Sequence, residues 1–349
     1  MLFLNRTAAI MTLLPLALAA HAQNSKDHDP LFADDEILEV RLEGPFRMLQ
    51  TERPDEVEVP GAFSFSAADG AAIKFDVNIR ARGHNRRNAD ICDFPPLRLN
   101  FRKSQTKNTL FDKQDKLKLV THCESESSRY EQTVLAEYLA YRVLSILTDR
   151  SFGARLLRIT YAYTDSDSEM ESYGILIEHK DRLEKRIGGK SVKTERASSA
   201  DIRPADLSLA SVFQYFLGNT DFSPVGTGPD EDCCHNQALL ASEDGLAYTV
   251  PFDFDLTGFV NAPHAVANPR FKLRSVRTRL YRGRCFNLSQ LPATLDLFRA
   301  HREEIESLIG YHPELVPPTR RHIERYTAAF YKTINDPKRV ERNLVKKCT

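Results

Sequence analysis

Residues 216–259 read FLGNTDFSPVGTGPDEDCCHNQALLASEDGLAYTVPFDFDLTGF, and the way this stretch divides decides how the chain is laid out. An apolar helical run closes at Gly218-Asn219-Thr220-Asp221, and a loop rich in Gly, Pro and acids leads to His235-Asn236. Two short apolar strands, near 237–240 and 246–250, then deliver Phe252-Asp253-Phe254-Asp255. The stretch therefore reads as helix, loop, hairpin and a second acidic turn.

Working outward, the chain before this stretch has period two. Ile37 to Leu42, Phe63-Ser64-Phe65, Ile73 to Ile79, Leu97 to Phe101 and Leu117 to Val120 alternate apolar with polar residues, which predicts strands. Gly61, Gly70, Gly83, Pro95 and Pro96 punctuate them, so the first third reads as an antiparallel sheet. Leu135, Tyr138, Leu139, Val143 and Ile146 line one face of a helix over 131–147, and strand composition returns at 155–163 and 173–178. After Lys180 helices dominate, near 204–217, 288–309 and 317–333. A β-rich lobe at 36–180 and a helical lobe at 181–349 with a cleft between them is the α+β arrangement expected.

Asp221, Asn236, Asp253 and Asp255 are the residues that suggest chemistry. Phosphoryl transfer needs hard oxygen ligands for Mg²⁺ and a further carboxylate to accept or orient the proton of the attacked hydroxyl. Asp221 is the candidate for the second role, with Asn236 and Asp253 or Asp255 as metal ligands. The competing structural reading makes Asp221 a turn cap and the Asp-x-Asp pair a satisfier of backbone groups at a strand end.

The same residues carry a resemblance. Ile79-Arg80-Ala81-Arg82-Gly83 is similar to the Arg-x-Arg-Gly strand end of the CotH kinase family, and Pro96 to Phe101 to its following basic strand. Tyr173 to Glu178 is loosely similar to its strand ending in Glu. Asn219-Thr220-Asp221, His235-Asn236 and Asp253-Phe254-Asp255 match its Asn-x-Asp, Asn and Asp-x-Asp series in order. The resemblance implies a bilobal atypical protein-kinase-like fold, ATP with Mg or Mn in the cleft, and γ-phosphate transfer to a protein hydroxyl. It implies Asp221 as catalytic carboxylate and Asn236 with Asp253 as metal ligands, Asp255 being a second ligand or an orienting group. Arg80, Arg82 and Arg98 are the candidates for phosphate contacts, with Lys118 competing for the charge-pairing role. Glu131 or Glu137 is the carboxylate to pair with a strand cation, and their spacing lets only one point inward. Glu178, at the interlobe connection, is a candidate for nucleotide contact. No Gly-x-Gly-x-x-Gly loop covers the phosphates.

Arg6, the apolar run 8–20 and Ala20-His21-Ala22 read as a signal peptide over 1–22, followed by a polar, flexible leader over 23–35. The run is broken by Thr12 and Pro15 and is short for about 30 Å of hydrocarbon, so no stable membrane span is expected. The six cysteines all follow the expected cleavage, which points to disulfides in a periplasmic or extracellular setting. Adjacent Cys233 and Cys234 are expected to reach elsewhere rather than pair with each other. Lys plus Arg equals Asp plus Glu at 48 each, which argues against nucleic acid as the partner of the whole molecule. Locally, 268–284 (NPRFKLRSVRTRLYRGR) carries seven basic residues and no acid. It receives an acidic or phosphorylated protein segment, neutralises the chain's own Asp230-Glu231-Asp232, or lies exposed on a helix face. His84, His122, His179 and His264 lack ligand spacing and read as surface or supporting groups.

Three functions are compatible with these residues. The leading one is an exported protein kinase of CotH type acting on a protein substrate. A noncatalytic envelope or assembly protein of the same fold is the second. The third is a metal-dependent nucleotide-sugar transferase using the Asp-x-Asp pair, which would require parallel strands at the start, where this chain has hairpins.

Overall fold

Alternation becomes seven strands in a computed structural model, which describes residues 28–54, 56–83, 85–192, 194, 196–226 and 233–349. They are β1 (Leu38–Gly44), β2 (Val59–Ser66), β3 (Ala72–Ala81), β4 (Leu97–Phe101), β5 (Lys116–Val120), β6 (Ala154–Tyr163) and β7 (Glu169–Ile177). β1 pairs antiparallel with β2 on one edge and parallel with β6 on the other, so the order β1-β2-β3-β4-β5-β7-β6 closes into a barrel. This corrects the expected architecture. The chain is α+β, but its β-rich part is a closed mixed barrel, and the bilobal kinase-like fold is not what forms. Alternation tells which side chains face inward; it carries no information on which strand edges meet.

The lumen is filled by side chains, as a barrel this small requires. Phe63, Phe75 and Phe101 from the strands converge on Phe111 from the β4–β5 connection, with ring centroids 5.1, 5.7 and 5.2 Å from it. A second core lies between the outer wall of β5, β6 and β7 and the helices. Short helices α1 (Phe46–Thr51), α2 (Lys103–Thr106) and α4 (Lys180–Ile187) flank the strands; the centre of this core is α3 (Ser128–Leu147), which is buried on nearly every face, and α5 (Pro204–Leu217) packs into the same layer. The expected helix over 288–309 is two, Leu291–Ala300 and Arg302–Gly310, broken at His301, and a longer helix spans Pro317–Ile334. The hairpin of residues 237–251 forms as Gln237–Ala241 and Ala247–Pro251, with Pro251 opposite Gln237.

Residues 1–22, expected as a signal peptide, lie outside the described residues. Of the 23–35 stretch, expected as a flexible leader, the described part is packed: Leu31 and Phe32 are buried, and Arg182 donates to both oxygens of Asp29 at 2.6 Å. Disulfides join Cys92 to Cys123 and Cys285 to Cys348. Cys233 and Cys234 are bonded to each other, contrary to expectation. Among the described residues no helix is long and apolar enough to cross a membrane.

Candidate functional site

The site begins where α5 stops. Gly218 takes the left-handed conformation (φ 67°) that ends the helix, and a Cβ there would strike the Tyr326 hydroxyl. The helix's last carbonyls are covered by Arg279, whose guanidinium donates to Tyr215 O and Phe216 O and lies 3.6 Å from the Tyr326 ring centroid. The chain then turns through Asn219, whose Oδ1 accepts from Asp221 N at 2.7 Å. Arg282 Nη1 donates to Thr220 O at 3.0 Å and Phe222 O at 2.7 Å, the two carbonyls that flank Asp221. Asp221 is thus held from both sides by Arg282, through the carbonyls of its two neighbours.

Both oxygens of the Asp221 carboxylate have protein partners. His235 Nε2 lies 2.9 Å from Oδ1, and Asn236 Nδ2 donates to Oδ2 at 3.2 Å and to Asp221 O at 2.8 Å. With its amide nitrogen so engaged, Asn236 keeps Oδ1 without a hydrogen bond among the described residues. Phe252 N donates to Asn236 O at 3.1 Å, extending the hairpin by one rung. That bond sets the residue before Asp253 against Asn236, whose side chain holds Asp221.

Asp253 sits at φ 63° and Asn236 at φ 52°, a region that Asn and Asp enter more readily than other non-glycine residues. Asp253 keeps an exposed surface, although protein atoms crowd around its carboxyl. Its enclosure, and then the charge of Asp255, push its carboxyl up to about 6, against the pull of Arg82, Lys118 and Arg86. Asp255 behaves oppositely. Burial would raise it, but the contact with His264 (Nε2 to Oδ2 3.5 Å) and the charge of Arg86 (3.8 Å) hold it below the usual carboxylate range.

Across from Asp253 stands the outer wall of the barrel. Arg80 on β3 is register partner to Arg98 on β4, and Arg98 to Lys118 on β5, while their neighbours Ile79, Ala81, Leu97, Leu99, Leu117 and Leu119 are buried in the lumen. Three cations therefore share one rung on one face. Like charges directly opposite each other destabilise a sheet, so this rung costs stability unless an anion lies over it. Lys118 Nζ stands 5.1 Å from the Phe252 ring centroid, and burial together with Arg82 brings its ammonium down to about 8. Arg82, the next outward residue after Arg80, is also lowered by burial and is opposed by the charge of Asp253. Arg80 is partly committed, with Nη1 2.9 Å from Glu56.

Not every expected residue joins this group. Glu178 is buried, bound by Arg186 at 2.8 Å and by the Gly153 N–H at 2.9 Å, and so ties the end of β7 to the start of β6. Of the two helix carboxylates, Glu137 points inward and is 2% exposed, with Oε1 lacking a partner among the described residues. Burial, then Asp255 and Asp253, drive its carboxyl well above the ordinary value. Arg86 was not legible as a site residue, His235 stood in the motif series only as the neighbour of Asn236, and His264 read only as a supporting group. Their roles come from contacts across the fold, and the only local signal was the arginine density after Gly83.

A divalent cation suits part of this donor set. Among the described residues no three His, Cys, Asp or Glu side chains converge as a ligand cage. Mg²⁺, however, is usually held by one or two carboxylates together with substrate phosphates and water. Asp253 and the open Oδ1 of Asn236 fit that mode. No protein-family model matches the chain, and a search of the curated proteins finds no match.

Proposed function

We propose that this protein transfers the γ-phosphate of ATP to a protein hydroxyl outside the cytoplasm. The observation that carries the reading is the cationic rung Arg80, Arg98 and Lys118, with Arg82 beside it, within electrostatic reach of Asp253. A rung of like charges next to oxygen donors is what a polyphosphate would neutralise. Arg82, Arg98 and Lys118 bind phosphate oxygens, and Asn236 and Asp253 hold the cation, with Asp255 anchored behind them by Arg86 and His264. The bound Mg or Mn would offset charge on the phosphates and leaving group. Asp221 orients the acceptor hydroxyl and takes its proton as the new oxygen–phosphorus bond forms and the bond to ADP breaks. The motif order resembling that of the CotH kinases supports these roles. Cys92–Cys123 and Cys285–Cys348 support an oxidising compartment.

A second reading, a noncatalytic phosphate-binding envelope protein, is favoured by one observation: both Asp221 oxygens are already occupied, by His235 and Asn236. Calorimetric titration of the oxidised protein decides between them. ATP should bind only with Mg²⁺ or Mn²⁺, metal alone should give no binding, and Asp253→Asn should weaken the metal-dependent complex by at least about tenfold, or ~1.4 kcal/mol. Binding unchanged in Asp253→Asn would remove the metal assignment. Absence of ATP binding under every metal condition would leave the noncatalytic reading.

A further inference from the structure

The seven basic residues of 268–284 divide into two groups. Arg279 and Arg282 are turned inward to backbone carbonyls, as described above, and Arg284 reaches Thr349 Oγ1 at 3.4 Å. Arg270, Lys272, Arg274 and Arg277 are exposed, and among the described residues none has a carboxylate partner. The segment carrying these four is anchored at both ends to the candidate site. Upstream, His264 lies against Asp255 and stacks on Tyr130, with ring centroids 5.7 Å apart and planes 4° apart. Downstream, the Arg277 carbonyl accepts from the Tyr326 hydroxyl at 3.1 Å. Arg282 lies between Phe271 and Phe222, 4.7 and 4.6 Å from their ring centroids. Phe271 is flanked by Arg270 and Lys272, and Phe222 follows Asp221, so this sandwich fastens the basic strip to the carboxylate that would receive the acceptor proton. Asn268 adds local order, its Oδ1 accepting from Arg270 N at 3.0 Å at the head of the Pro269–Phe271 turn.

We propose that residues 268–277 form the docking strip for the acceptor, and that they select a hydroxyl flanked by acidic residues in a polypeptide. This rests on the phosphotransfer reading of the Asp221 site and names its substrate class. The protein as a whole is neutral, so a strip of four cations with no carboxylate partner among the described residues is a local field, and its complement is a short run of carboxylates. Arginine predominates, which suits forked contact with carboxylates.

The test is fluorescence anisotropy on the oxidised full chain with a labelled serine peptide flanked by Glu and Asp, and with the same peptide carrying Gln and Asn instead. The acidic peptide should bind at least about tenfold more tightly, the preference should shrink as salt is raised, and Arg270→Ala/Lys272→Ala/Arg274→Ala/Arg277→Ala should abolish it. These four side chains are exposed, so the variant's melting curve should match that of the parent. Equal binding of both peptides, or a preference that survives in the quadruple variant, would overturn the proposal. Tighter binding of a single-stranded oligonucleotide of equal charge would also overturn it, in favour of a nucleic-acid surface. ATP binding, titrated separately, should be the same in both chains. Its absence with the acidic preference intact would sink the phosphotransfer reading and leave the strip as an acidic-peptide site.

Discussion

His122 follows β5 with both ring nitrogens unpartnered among the described residues, packed 4.6 Å from the Phe94 ring centroid and 5.6 Å from that of Tyr161. Burial, aided by the charge of Arg86, brings its imidazole down to about 3. An unfolded histidine takes its proton near 6.5, so the stability this neutral ring contributes is complete above that pH and is lost as pH falls from 6.5 toward 3. Between about pH 7.5 and about pH 5 the loss should be ~2 kcal/mol, and His122→Phe should remove that part of the pH slope in denaturant unfolding. An unchanged slope in the variant would mean that His122 is hydrated or charged in the native state. The sequence showed a histidine without ligand spacing; only the packing of Phe94 and Tyr161 around it makes it a core residue. Glu137 is a similar case. Its distance from Glu131 along the helix lets only one of the two face inward, and the burial of α3 decided which.

At the scale of elements, the rung Arg80, Arg98 and Lys118 sets stability against binding. Replacing the central cation, Arg98→Gln, relieves two like-charge pairs and should raise unfolding free energy by up to ~1 kcal/mol at low salt, while weakening ATP binding measured by calorimetry. A variant that is less stable and binds ATP equally well would show that the rung serves the sheet alone. The three basic residues were visible in the sequence, each on an alternating strand. Their alignment was not, because register is set by turns and by inward packing on β3, β4 and β5 together. The pairing of Asp221 with Asn236 is likewise a product of the hairpin meeting the end of α5.

For the molecule as a whole, the Cys285–Cys348 bridge spans 63 residues and ties the C-terminal segment to the strip region, while Cys92–Cys123 spans 31 and closes the arginine-rich loop after β3 onto the end of β5. On loop-closure entropy the longer bridge constrains the unfolded chain by ~4 kcal/mol and the shorter by slightly less. Reduction should therefore lower the midpoint of denaturant unfolding markedly, and Cys285→Ser/Cys348→Ser should reproduce about half of that shift. Unaltered stability after complete reduction, checked by thiol titration, would remove the disulfide support for an oxidising compartment.

Composition, alternation and helical period by themselves determined that the chain is α+β, where most strands and helices lie, and that Asp221, Asn236, Asp253 and Asp255 belong to one short stretch. These are local properties, written in the spacing of apolar side chains and in turn residues. Tertiary structure alone decided that β1 meets β6 and closes a barrel, that Cys233 bonds Cys234, that Glu178 is committed to Arg186, and that four of the seven basic residues of 268–284 stay exposed. Each depends on which distant surfaces meet, and that is set by the packing of the whole chain rather than by any one segment of it.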